Sequence, residues 1–190
     1  MQLIEPILRP WTRDEYHQLA EAGYFEGQRV ELIEGEIRQK CRQSEPHAAC
    51  ILLVLDVLRS IFAHGFTVRV QMPLDLGEYT ELEPDLAVVL GSPRDYRDNP
   101  TTALLAVEVS LSSLAYDRQR KSGHYARAGI AEFWIVDLAR RRLIVLRDPA
   151  ADPSSPAGYA YRSEQVLGEN DSFAPLAAPQ AQIAVADMLP

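Results

Sequence analysis

Two apolar runs, each broken by a single carboxylate, constrain this chain more than any other feature. Pro84-Asp85-Leu86-Ala87-Val88-Val89-Leu90 and Ala103-Leu104-Leu105-Ala106-Val107-Glu108-Val109 read as buried strands. Asp85 and Glu108 stand where a hydrophobic side chain would pack at lower cost. An ionised carboxylate left unpaired in a sheet core costs several kcal/mol. A cation is therefore expected between them: a divalent metal ion, with Lys121 beside it. That lysine lies on a polar helix expected from about Leu114 to Ala128 and capped by Gly129. One helical turn separates Asp117, Lys121 and Tyr125, which puts all three on one face. Of the 19 cationic residues only Lys40 and Lys121 are lysines. An ammonium has a pKa that responds to its surroundings, so its use at 121, in a chain that otherwise uses arginine, is informative.

The remaining elements read as a frame for that site. Thr12-Arg13-Asp14-Glu15 is a capping box that opens a short amphipathic helix ending at Gly23, with His17 on its surface. Arg29 to Ile33 and Glu36 to Gln39 form a β-hairpin about Glu34-Gly35. Glu31 shares a face of it with Ile33, a third carboxylate on a half-apolar surface. Ser44-Glu45-Pro46 starts the main core helix, whose apolar face is Ile51, Leu52, Val54, Leu55, Leu58, Ile61 and Phe62. His47 lies in its first turn and reads either as a capping or surface histidine or as a group near a phosphate.

Phe66 to Val70 and Met72 to Leu76 read as one strand interrupted by Pro73 or as two short ones. Gly77 to Glu83 is expected as a turn and Gly91 to Thr102 as a surface loop. Glu132 to Asp137 and Arg142 to Leu146 are two further strands. Asp148 to Gly158 reads as a mobile loop and Tyr159 to Arg162 as an edge strand. The segment after Gly168, with prolines at 175, 179 and 190, is expected to be weakly structured or extended.

A chain of 190 residues is most simply one domain, here with a core over about 11–148 and a C-terminal strand and tail over 149–190. No apolar run approaches the roughly 20 residues a membrane span needs. Glu5 and Pro6 stand where a secretory signal would be apolar, so a cytoplasmic protein is expected. Cys41 and Cys50 lack paired spacing, which speaks against zinc and for two free thiols. The net charge of −8 is the opposite of what extensive phosphate neutralisation favours, although basic residues gather between Arg118 and Arg147.

Carboxylates on adjacent strands with a lysine on the following helix suit hydrolysis of a phosphodiester. That reaction needs water made nucleophilic at neutral pH and positive charge against the pentavalent oxygens. Magnesium takes one or two carboxylates and completes its octahedron with water. Asp85 and Glu108 supply two ligands, and the Val109 backbone carbonyl a third. Lys121 could stabilise developing charge or, if neutral, orient the water. Glu31 could hold a metal-bound water or a second ion.

Pro84-Asp85, Glu108-Val109, Tyr116-Asp117-Arg118-Gln119-Arg120-Lys121 and the run Tyr125 to Asp137 resemble the Uma-two family. That family comprises predicted endonucleases of the PD-(D/E)XK, restriction-endonuclease-like superfamily. Arg29-Val30-Glu31-Leu32-Ile33-Glu34-Gly35-Glu36 and His47 match as well, and the likeness runs from about Trp11 to Leu146. The resemblance implies an α/β (α+β) fold, a central mixed β-sheet flanked by helices with an N-terminal helix and β-hairpin. It implies a magnesium or manganese site with Asp85 and Glu108 as ligands, Glu31 as the early acid and Lys121 as the catalytic lysine, with His47, Asp117 and Tyr125 accessory. Ser110, not lysine, stands two residues after Glu108, and the lysine on the following helix takes its place.

DNA is then the expected partner and hydrolysis of its phosphodiester bonds the expected activity. A homodimer is expected by analogy with nucleases that cut both strands. Two other readings stand beside this one: a catalytically inactive binding or assembly module on the same fold, and a hydrolase of small phosphoesters.

Overall fold

The computed structural model describes residues 7–40 and 42–190; the sequence readings for Glu5, Pro6 and Cys41 fall outside them. Thr12 caps the first helix, α1 (Arg13–Glu21), with the reciprocal Thr12–Glu15 bonds that the sequence pattern requires. The strands β1 (Val30–Ile33) and β2 (Glu36–Gln39) pair antiparallel around Glu34 and Gly35, both with positive φ, as a two-residue hairpin turn needs. The long helix α2 (Glu45–Ile61) follows, and then β3 (Phe66–Val70), β4 (Leu74–Asp75), β5 (Glu81–Leu82), β6 (Leu86–Leu90) and β7 (Leu105–Ser110).

The segment after β7 is not one α-helix. A single turn, α3 (Leu114–Tyr116), leads into a π-helical turn over Asp117–Lys121 and then α4 (Ser122–Arg127). In the wide turn the Ser122 N–H bonds to the Asp117 carbonyl five residues back. The chain continues as β8 (Glu132–Asp137), β9 (Arg142–Ala151), β10 (Tyr159–Gly168), β11 (Ser172–Phe173) and β12 (Ile183–Ala184).

Six strands form the main sheet in the order β10-β9-β8-β7-β6-β3. Only β7 and β8 run parallel, which requires a crossover, and the helical segment 114–127 provides it. A second sheet, β2-β1-β5-β4, sits against one face. Side-chain alternation sorts the core into two layers. Leu105, Val107 and Val109 point to α2, where Cys50, Val54 and Leu58 are fully buried. Ala106 points the other way, into a layer with Ile33, Leu74, Tyr125 and Phe133. Glu108 shares that second face by parity, beneath the small sheet that carries Glu31.

Several expectations are corrected. Asp85 precedes its strand instead of lying in it. Glu81 and Leu82 form a strand within the expected turn, because both are buried and pair with β4 and β1. Leu52 lies on the outer side of α2, 61% exposed. The expected loop at 148–158 shrinks to 152–158, since β9 and β10 keep their ladder to Ala151 and Tyr159. The segment after Gly168 is anchored: Ile183, Val185 and Met188 are buried under α2, and Phe173 meets Trp134 edge-on at 4.9 Å. Burying each such side chain contributes about 1.5–3 kcal/mol, which outweighs the low local propensity.

Candidate active site

Lys121 Nζ lies 2.9 Å from Glu108 Oε1 and 3.3 Å from Glu31 Oε2, in surroundings that leave all three side chains about 5% exposed. The lysine comes from the π-helical turn, Glu108 from the central strand β7 and Glu31 from the hairpin strand β1. Three separate elements are therefore needed to make the contact. Tyr125, one turn further along α4, donates its hydroxyl to the same Glu108 Oε1 at 2.7 Å. Both donors take Oε1, which leaves Oε2 of Glu108 unengaged by them. Asp117 Oδ2 accepts the Ser113 hydroxyl at 2.7 Å.

Asp85 joins the cluster through the backbone. Its Oδ2 accepts the Val109 N–H at 2.9 Å, which ties it to the residue after Glu108. His47 Nε2 stands 3.3 Å from the same oxygen, and Gln71 Nε2 donates to Oδ1 at 3.3 Å. The structure thus brings together Glu31, Asp85, Glu108 and Lys121, with Tyr125, Asp117 and His47 adjoining.

Four carboxylates therefore face one ammonium and one imidazole. Glu108 is raised to about 7, chiefly by burial and further by Asp85 and Asp117, with Lys121 opposing. Burial likewise raises Asp117. Lys121 moves upward: burial opposes its charge, but the carboxylates of Glu108, Glu31 and Asp117 overcome it, so the amine stays protonated. Asp85 is lowered, because the His47 contact and charge and the Val109 N–H outweigh its desolvation. The same contact with Asp85 raises His47, against burial. Lys121 and His47 offset the negative charge by direct contact.

The donor set is hard oxygen, the kind magnesium and manganese take. Glu31 Oε2 is ion-paired with Lys121 at 3.3 Å but makes no well-aligned hydrogen bond, so it has a lone pair to spare. Among the described residues no three His, Cys, Asp or Glu side chains converge closely enough to cage an ion. A cation here would have one or two carboxylates as its protein ligands and water for the rest.

Sequence reasoning missed three neighbours. Lys40 Nζ donates to the Glu83 carbonyl at 2.7 Å, and its charge reaches Asp85 and Glu108. Gln71 orients Asp85. Arg38, paired in register with Glu31, lies over the Tyr116 ring at 6.0 Å. Only the hairpin register carried a sequence signal for Arg38.

The basic residues that gather between 118 and 147 are mostly paired within the fold. Arg118 pairs with Glu164, Arg120 with Glu34, Arg141 with Glu169, Arg140 and Arg142 with Asp137, and Arg147 with Glu132. Arg127, exposed, is the arginine of this stretch without such a partner among the described residues.

A model of the family described as "Uma2: Putative restriction endonuclease" matches residues 13–186. No match is found among curated proteins. Among solved structures, a protein from Anabaena variabilis described as "a putative nuclease belonging to DUF820" is similar with a TM-score of 0.70. The two are 19% identical, over 94% of this chain and 97% of that one. That likeness shows the fold: the mixed α+β arrangement is restriction-endonuclease-like.

Proposed function

Because the chain belongs to the Uma2 family of restriction-endonuclease-type proteins, we propose that it hydrolyses DNA phosphodiester bonds with magnesium or manganese. The observation that carries this is the buried contact of Lys121 with Glu108 and Glu31 beside Asp85, where carboxylates outnumber cations. Asp85 and Glu108 would hold the cation, with the Val109 carbonyl adjoining; when bound, it would lower the pKa of water and offset charge on the phosphoryl oxygens. Lys121 is fixed by two carboxylates, so its ammonium is already oriented for the charge that develops at phosphorus. Tyr125 donates to the same Glu108 oxygen and helps fix the carboxylate. Glu31, with a free lone pair, would accept a proton or hydrogen bond from the attacking water. His47 shares the Asp85 carboxylate and tempers its charge.

The test is nicking of supercoiled plasmid with Mg²⁺ or Mn²⁺, against a chelator control. Activity should disappear in Glu108→Ala and Lys121→Ala. Wild-type protein that neither cuts any of several DNAs nor binds either cation in calorimetry would leave the binding-module reading in its place.

One observation favours a second reading, a hydrolase of small phosphoesters. Six of the seven arginines from 118 to 147, all but Arg127, are engaged in ion pairs, and such a substrate needs no basic groove. Cleavage of a bis-aryl phosphate without cleavage of DNA would select it. The reading treats the chain as one nuclease domain acting as a homodimer in the cytoplasm, and light scattering tests the assembly.

A further inference from the structure

A cavity of about 960 Å³ opens between β3, the first turns of α1 and the loop around 93–101. Its wall includes Arg69, 8% exposed. A guanidinium stays charged inside a protein, and buried charges are ordinarily paired. Arg69 forms no ion pair among the described residues. One terminal nitrogen donates to the Pro73 carbonyl at 3.2 Å and to Asn99 Oδ1 at 3.4 Å, and Nε is buried with no acceptor. The Tyr96 ring lies 6.0 Å from the guanidinium carbon.

The other charges lining the cavity differ. Arg13 is bonded to Asp75, and His17 Nε2 lies 2.8 Å from Glu81 Oε2. Asp14, Arg97 and Asp98 are exposed. Arg69 is therefore the cation of this wall that is both buried and without an acid. Asn99 uses its oxygen on the guanidinium, which leaves its amide nitrogen free to donate.

The position relative to the acid–lysine cluster is short and defined. Arg69 pairs in register with Ala87, two residues beyond Asp85. Gln71, two residues beyond Arg69, touches Asp85 itself. Two residues of extended chain cover about 7 Å along the strand, and the two strand spacings from β3 through β6 to β7 add about 10 Å across the sheet. Arg69 therefore stands roughly 12 Å from Glu108, three to four steps of axial rise along one strand of a duplex. A guanidinium fork matches phosphate oxygens in a way a point charge does not.

We propose that Arg69 anchors an oxyanion pocket that takes a backbone phosphate of the nucleic-acid substrate, flanking the bond held at Glu108 and Lys121. The pocket's affinity for phosphate stands on its own geometry; its assignment to a polynucleotide rests on the nuclease reading.

The experiment titrates inorganic phosphate into the metal-free full chain by calorimetry and then adds a short single-stranded oligodeoxynucleotide as competitor. Saturable binding is expected, weakened about tenfold or more in Arg69→Gln, as for loss of a charge-assisted contact. Asn99→Asp is the near-isosteric second variant. It sets a carboxylate against the guanidinium from a position 3.4 Å away and should abolish phosphate binding while preserving the fold. Equal phosphate binding in wild type and Asn99→Asp overturns the pocket. Phosphate bound through Arg69 but not displaced by the oligonucleotide overturns the backbone assignment. Because neither readout uses cleavage or metal, loss of the nuclease reading would leave the phosphate result interpretable.

Discussion

Lys121 Nζ and Glu108 Oε1 stand 2.9 Å apart across thirteen residues of chain, with their side chains 5% and 4% exposed. A buried pair of this kind is poorly judged by its attraction alone, since both partners lose their hydration. Breaking it is the costly act. Lys121→Met should destabilise the protein by about 3–5 kcal/mol in urea unfolding, because Glu108 and Glu31 stay buried without the ammonium that favours their ionised forms, and each must then be either an unpaired charge or a protonated acid. The double variant Lys121→Met/Glu108→Gln should recover part of that loss. Strict additivity of the two changes would show that the contact carries no coupling.

The elevated Glu108 sets a sign for the pH dependence of the metal-free protein. Its folded pKa is about 7 against an ordinary 4.5, so between those values the folded state holds the proton more tightly. Stability from this group is therefore greatest below 4.5 and declines as pH rises toward 7. Asp117 and His47, both raised, act in the same direction; His124, lowered by burial, opposes them. The melting temperature of Glu108→Gln should fall less from pH 5 to pH 7 than that of wild type. Parallel curves would rule out Glu108 as the source.

Metal binding should follow from the same electrostatics. A cation binding at Asp85 and Glu108 requires Glu108 ionised, so near neutral pH Mg²⁺ or Mn²⁺ binding should release protons. Calorimetry in two buffers of different ionisation enthalpy reads this directly. Asp85→Asn should weaken binding by more than the roughly 10–100-fold typical of losing an outer-shell partner. Treatment with a chelator should return wild type to the stability of the untreated metal-free protein.

Tyr125 offers a way to separate orientation from charge. Its hydroxyl donates to Glu108 Oε1 at 2.7 Å from a fully buried ring. Tyr125→Phe removes the donor and keeps the packing against Phe133, so it should cost about 1.5–3 kcal/mol, the range for a hydrogen bond to a charged group. Unchanged stability would mean that another donor, or water, replaces the phenol.

Much of the site was legible because its residues violate local rules. A carboxylate in Ala-Val-Glu-Val, or a lysine in an arginine-using chain, stands out against its surroundings, and both proved buried together. The hairpin and the capping box were equally plain, since turn and cap chemistry are encoded within four residues. What was not legible depends on distant partners. The π-helical turn at 117–121 leaves no mark in residue type, and the partners of Arg118 to Arg147 come from residues as far away as Glu34 and Glu169. Nothing in residue type marks Gln71 or Arg69; their surroundings follow from β3 lying beside β6. The tail misled because its prolines and small residues lower local propensity, whereas the burial of Ile183, Val185 and Met188 fixes it.

That anchored tail yields the last prediction. Glu132 is 1% exposed and accepts three hydrogen bonds: Arg147 reaches Oε1 through two nitrogens at 2.8 and 2.6 Å, and Oε2 accepts the Leu176 N–H at 2.7 Å. Arg147 also donates to the Ala174 carbonyl at 2.7 Å, so the pair joins β8 and β9 to the start of the C-terminal segment. Arg147→Ala strands a buried carboxylate and frees the backbone at 174–176. Unfolding should become easier by about 3–5 kcal/mol, the range for breaking a buried pair. Limited proteolysis should cut the variant between 169 and 182 before any other region, while the site around Lys121, on the opposite face of the sheet from the buried tail, keeps its contacts. Cleavage elsewhere first would mean that the burial of Ile183 and Met188, and not this ion pair, holds the segment in place.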